Sequence, residues 1–129
     1  YSEATSKGSM YALACLGYCY ITGKGVAQDL EKGIALVQKS ARNNNIKGLN
    51  LLGLGYLKGY GVEQNYGQAV NLFLKAAEQG YARAQFNLGL CYANGTGVRQ
   101  NYKEAVYWYR KSANQGYAKA QNNLGNCYK

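Results

Sequence analysis

Histidine is absent from the 129 residues. With it go the commonest general acid–base, every histidine-containing metal set, and the Ser-His and Cys-His nucleophile pairs. The six carboxylates, Glu3, Asp29, Glu31, Glu63, Glu78 and Glu104, form no cluster suited to acid–base work. Cys15, Cys19, Cys91 and Cys127 remain. Cys15 and Cys19 lie one helical turn apart, where disulfide geometry is rarely met. Cys19, Cys91 and Cys127 share one repeat column, so the cysteines read as buried, unpaired thiols, which favours a reducing compartment. No catalytic group, cofactor or metal site is expected. What remains is recognition: 15 Lys and Arg against 6 Asp and Glu give +9, a surplus suited to acidic peptides, nucleic acid or an anionic surface.

The recognition residues declare themselves through two near-copies. Residues 80–92 read GYARAQFNLGLCY and residues 116–128 read GYAKAQNNLGNCY. They differ only at Arg83/Lys119, Phe86/Asn122 and Leu90/Asn126. The same 36-residue period places Leu-Gly at 16–17, 52–53, 88–89 and 124–125, and Tyr at 20, 56, 92 and 128. A period of this size with no linker between copies means stacked helical repeats.

Each unit reads as a two-helix hairpin. In the third, Ala84, Leu88, Cys91 and Tyr92 recur at helical spacing. Gly95 ends that helix, Asn101 caps the next with Glu104 three residues on, and Gly116 closes it. The closing positions elsewhere are Gly8, Asn44 and Gly80. Gly17, Gly53, Gly89 and Gly125 fall inside helices, where each costs roughly 1 kcal/mol relative to Ala. Their recurrence predicts a close helix crossing. The Gly-x-Gly turns follow helices rather than strands and lack a third Gly or a Gly-Lys-Ser/Thr, so they read as helix-ending turns, not phosphate cradles. The period predicts residues 1–9 as the end of a preceding helix, repeats at 10–45, 46–81 and 82–117, and a further first helix at 118–129. The chain reads as part of a longer array.

Ala84, Leu88-Gly89, Tyr92, Gly95, Gly97-Val98, Ala105, Trp108, Lys111-Ser112-Ala113 and Gly116 together resemble the Sel1-like repeat, a relative of the tetratricopeptide repeat. The resemblance covers essentially the whole chain. Departures are Asn65 and Asn101 where the family usually has Asp, Leu36 and Leu72 where an aromatic is frequent, and Gly33 for the usual Ala. The resemblance implies an all-α, right-handed α/α superhelical solenoid serving as an adaptor or scaffold. Members assist in complex assembly, endoplasmic-reticulum-linked degradation, signalling and bacterial–host interaction. A cysteine-rich bacterial branch bridges its two helices with a disulfide in every repeat. Here the matching positions are Ala77 and Ala113, so that pairing is not carried over.

In a solenoid of this type the first helices line the concave side. Ala84, Leu88 and Tyr92 share one helix face, and positions 83, 86 and 90 point away from it. The differing positions therefore write a groove. Its columns are Tyr11, Lys47, Arg83, Lys119; Ala14, Asn50, Phe86, Asn122; Cys15, Leu51, Asn87, Asn123; and Tyr18, Leu54, Leu90, Asn126. Lys47, Arg83 and Lys119 predict a positive ladder, Asn amides beside it can pair with a peptide backbone, and Phe86, Leu90 and Leu54 predict an apolar pocket. The expected ligand is an extended or acidic peptide segment. The competing class is non-specific binding of nucleic acid or another anionic surface, driven by the net charge.

Overall fold

The computed structural model describes the backbone of residues 3–127 and the side chains of 10–125. Its described residues form helices and no strand, in two compact units, Tyr1–Asn65 and Tyr66–Lys129. The first unit holds α1 (Glu3–Thr22), α2 (Leu30–Arg42) and α3 (Ile46–Lys58). The second holds α4 (Tyr66–Glu78), α5 (Ala82–Asn94), α6 (Tyr102–Asn114) and α7 (Ala118–Cys127). Where the period predicts a helix end at Gly8, the backbone stays helical from Glu3 onward. The closing turns do form at Asn44 (φ 61°), Gly80 (φ 90°) and Gly116 (φ 87°). Asn is the non-Gly residue best able to take that left-handed conformation.

In the first unit, α1 packs against α2 at a pair of glycines. A Cβ on Gly33 would stand 2.8 Å from the Gly17 carbonyl oxygen and 2.7 Å from Ile21 Cγ1. A Cβ on Gly17 would meet Val37 Cγ2 at 2.6 Å and the Gly33 carbonyl at 2.7 Å. These contacts are too short for any side chain, so bare backbone is what lets the helices meet. In the second unit the α5–α6 crossing keeps one glycine. A Cβ on Gly89 would press on the Tyr109 ring at 2.7 Å and the Ala105 carbonyl at 3.3 Å. The expected close crossing is thus present in both units. At Gly125 a Cβ would meet nothing within 4 Å.

Polar locks repeat with the same period. Gln28, Gln64 and Gln100 each donate from Nε2 to the carbonyl seven residues earlier, Ile21, Leu57 and Ala93, at 2.8–2.9 Å. The next residue along, Asp29, Asn65 or Asn101, donates its backbone N–H to the carbonyl of Tyr20, Tyr56 or Tyr92 at 2.9 Å. Asp29 and Asn101 then accept from the N–H groups of Lys32 and Glu104, capping α2 and α6. Each interhelical turn is therefore tied to the end of the helix it leaves. Between helices, buried Ser40 donates to the Met10 carbonyl and buried Ser112 to the Ala82 carbonyl, both at 2.7 Å. In the second unit Gln85 and Gln121 donate to the carbonyls of Ala77 and Ala113, tying α5 to the end of α4 and α7 to the end of α6.

The cysteines follow the thiol expectation unevenly. Cys91 is buried, whereas Cys15 and Cys19 are half-buried, and all three are unpaired. The side chain of Cys127 lies outside the described residues. Burial pushes the Cys91 thiol from its ordinary 9.0 up to about 11, because a thiolate there would lose its water.

Two predictions follow from this packing. Gly33→Ala should lower stability by about 1–3 kcal/mol, despite better helix propensity, because the Gly17 carbonyl cannot move aside. Gly125→Ala should be neutral or slightly stabilising; urea unfolding followed by circular dichroism separates the two, and a stabilised Gly33→Ala would refute the crossing. For Cys91, between about pH 9 and 11 the native state holds a proton that the unfolded state has shed. Its contribution is therefore complete below about pH 9 and is lost as pH rises through about 11. Tyrosines and lysines also titrate there, so the readout is the difference from Cys91→Ala. The native sequence should lose stability more steeply than the variant across that window.

Candidate recognition surface

Packing covers most of the circumference of α5 and leaves a narrow stripe. On α5 every residue from Ala84 to Cys91 is buried except Asn87 and Leu90. The stripe runs Arg83, Asn87, Leu90, Asn94, at spacings of four, three and four. On α3 the same offsets give Lys47, Leu51, Leu54 and Lys58, of which Leu51 is buried; on α1 they give Tyr11, Cys15, Tyr18 and Thr22, within a broader open face that includes Ala12 and Leu16. A one-residue-wide stripe is the signature of a helix packed on both flanks as well as behind.

That width changes the reading of one column. Ala14, Asn50 and Phe86, expected among the open positions, are 0%, 3% and 9% exposed. Phe86 belongs to the core of the second unit, with Ala105, Tyr109 and Ala120. Its ring meets Tyr117 edge-on with centroids 5.4 Å apart and tilts against Tyr109 at 5.9 Å. Leu90 is half-buried and packs against the same cluster. Phe86 is therefore a core ring rather than the wall of an open pocket. Rotation about a single helix axis does not count the neighbouring helix that closes over position 86. Asn50, likewise buried, already has a polar partner, as does half-buried Asn87.

The cationic column behaves differently in the two units. Arg83 and Lys119 are exposed on α5 and α7, and Asn122 is exposed on α7. In the first unit Lys47 is half-buried, with its ammonium 5.1 Å from the centroid of the Tyr11 ring. Tyr11 itself is 52% exposed, so the pair forms a cation–π contact at the surface. The side chain of Asn126 lies outside the described residues.

Tyr18 and Leu54 do come together, in the first unit. They line a cavity of about 200 Å³ with Ile21 and Thr22 of α1, Leu51 and Lys58 of α3, and Tyr60 from the turn after α3. Ile21 and Leu51 are buried and Leu54 and Tyr60 half-buried; Tyr18, Thr22 and Lys58 are exposed. The Lys24 ammonium stands 5.7 Å from the Tyr18 ring centroid. Sequence reasoning placed Leu54 correctly on the stripe but missed Ile21, Thr22, Lys58 and Tyr60. The available signal was Tyr60 itself, which breaks its column of Lys24 and Thr96. Among the described residues no three His, Cys, Asp or Glu side chains gather to hold a metal, and no helix is long and apolar enough to cross a membrane.

Comparison with known proteins agrees with this architecture. No curated protein sequence matches the chain. Among solved structures, a Sel1 repeat protein from Oxalobacter formigenes is 34% identical with a TM-score of 0.86, over 92% of this chain and 49% of its own. The protective antigen c5321 of uropathogenic Escherichia coli strains, described as displaying an SLR fold, is 36% identical with a TM-score of 0.86. It matches over 98% of this chain and 27% of its own length. The chain thus spans half or less of these two proteins. Helicobacter pylori cysteine rich protein B, 24% identical with a TM-score of 0.74 over 89% of this chain and 88% of its own, shares the fold. The Sel1 repeat model matches residues 8–45, 46–81, 82–117 and 118–129. With four consecutive matches spanning residues 8 to 129, the chain belongs to the Sel1 repeat family.

Proposed function

We propose that this chain is part of a protein–protein interaction scaffold, and that its first-helix stripes bind an extended, acidic segment of a partner protein. Sel1-repeat proteins generally act as such scaffolds. One observation carries the finer reading. The stripe side chains that reach the surface include Tyr11, Tyr18, Lys58, Arg83, Asn94 and Lys119, and no carboxylate occupies a stripe position. Arg83 and Lys119 stand exposed on successive first helices of the second unit, with Asn122 beside Lys119. Guanidinium and ammonium groups in that setting attract carboxylates and steer their approach. Lys47 occupies the same column in the first unit. The buried Asn50 and Phe86 serve as support for the stripe rather than as contacts.

The binding surface is thus made of side chains that differ between repeats, mounted on backbone that does not. The adaptor reading and the nucleic-acid reading predict different ligands for the same cations. The test uses the chain and a Lys47→Glu/Arg83→Glu/Lys119→Glu variant against a fluorescent, end-blocked peptide of alternating Glu and Ser, and against single-stranded oligonucleotide. Fluorescence anisotropy should show peptide binding that falls by roughly tenfold or more in the variant. Its circular dichroism should be nearly unchanged, since Arg83 and Lys119 are exposed and the Lys47 ammonium lies at the surface over exposed Tyr11. Peptide affinity unaltered by the triple charge reversal would remove the ladder. Binding of the oligonucleotide alone, lost in high salt, would favour the charge-driven alternative.

A further inference from the structure

We infer that the cavity between α1 and α3 is an anchor pocket for a single aromatic side chain carried within an acidic segment of a partner protein. The inference rests on the adaptor reading and adds to it the residue type that the groove selects.

Size comes first. A dry cavity of roughly 150 Å³ takes up benzene, and the cavity here measures about 200 Å³. That is room for one phenyl or phenol ring. Its chemistry suits a ring as well. Leu51 and Leu54 give it an aliphatic wall, and Tyr18 and Tyr60 line it too, so an inserted ring would have aromatic neighbours. The Thr22 hydroxyl, the remaining small polar group, donates to the Tyr18 carbonyl at 2.9 Å. An apolar pocket that buries one rigid side chain is where binding energy concentrates at an interface.

The rim supplies the acidic preference. Lys58 is part of the wall, and Lys24 lies over the Tyr18 ring. No Asp or Glu lines the cavity. Residues flanking an inserted ring would therefore sit beside two ammonium groups, which favours carboxylates there and disfavours cations. The same argument disfavours a second copy of this chain as the occupant, since each copy carries +9.

The sequence of the second unit does not repeat the lining of this cavity. The period carries Tyr18, Ile21, Thr22, Leu51 and Leu54 onto Leu90, Ala93, Asn94, Asn123 and Asn126. The counterparts are smaller or more polar at nearly every place. A packing flaw of the repeat would recur with the period; a written feature need not.

The test is an NMR titration of the isotope-labelled chain with three end-blocked pentapeptides: Glu-Asp-Phe-Asp-Glu, its central-Ala counterpart, and the uncharged Gln-Asn-Phe-Asn-Gln. The acidic Phe peptide should bind roughly tenfold tighter than either of the others, and shift the amide signals of Leu51, Leu54 and Tyr60. Leu54→Glu should abolish its advantage over the Ala peptide. Lys58→Glu, at an exposed position that leaves folding unaffected, should weaken the acidic Phe peptide severalfold and not the uncharged one. Equal binding of the acidic Phe and Ala peptides would overturn the pocket while leaving the acidic groove standing. No binding by either acidic peptide would remove the groove reading and the pocket together. Equal binding of the uncharged Phe peptide would overturn the acidic preference. Self-association of the chain that Leu54→Glu abolishes would make a second copy the occupant, and would likewise overturn the proposal.

Discussion

The structure depends on how closely two helices of a hairpin can approach. Where Gly17 faces Gly33, carbonyl oxygens occupy the space that a Cβ would need. A mid-helix glycine weakens its own helix by roughly 1 kcal/mol relative to alanine. That local loss is offset by contact between backbones and by the burial of Val37 and Ile21 around the crossing. In the second unit the bulk is divided differently: Gly89 makes room for the face of Tyr109, and Ala105 completes the contact. The family's small-residue positions are thus one solution with two side-chain fillings.

Given that crossing, the hairpin needs its helices held in register, and here polar side chains act where apolar packing cannot. A turn with two positive-φ glycines is short of local constraints. Gln28, Gln64 and Gln100 supply one in each repeat by bonding the carbonyl seven residues back. Ser40 and Ser112 fasten the far ends of their hairpins, at carbonyls 30 residues away. The bonds of Gln28, Ser40 and Ser112 are half-buried, where leaving a polar group unmet costs more than an average hydrogen bond contributes. Among the described side chains, no buried nitrogen or oxygen lacks a partner.

The stripe left for recognition is a by-product of this economy of contacts. On α5 packing leaves positions such as 83, 87, 90 and 94 accessible, whereas α1 keeps a broader open face that includes Ala12 and Leu16. Variation confined to those positions changes what the surface binds without touching what holds it together. Positions just off the stripe lack that freedom: Phe86 enters the core and meets Tyr117 and Tyr109. Cations near rings, Lys47 over Tyr11 and Lys24 over Tyr18, show that part of the +9 is already engaged within the chain.

Periodicity alone determined the repeat length, the helix pairs, the glycine crossings at Gly17 and Gly89 and the left-handed closing turns at Asn44, Gly80 and Gly116, because each is a local or nearest-neighbour property that recurs in the letters. The long unbroken α1 departed from that pattern: it stays helical through Gly8, where the equivalent Asn44, Gly80 and Gly116 take the left-handed turn. The columns of variable residues were equally legible. Their exposure was not. Whether position 86 faces solvent or core depends on how far an adjacent helix leans over it, which one helical wheel does not contain. The cavity of the first unit was hidden for the same reason. Tyr18 and Tyr60 are 42 positions apart, and only the packing of α3 against α1 brings them to one space with Leu51 and Leu54. A repeat writes its frame in sequence spacing, while a pocket is a distance between side chains on different helices, set only when those helices pack.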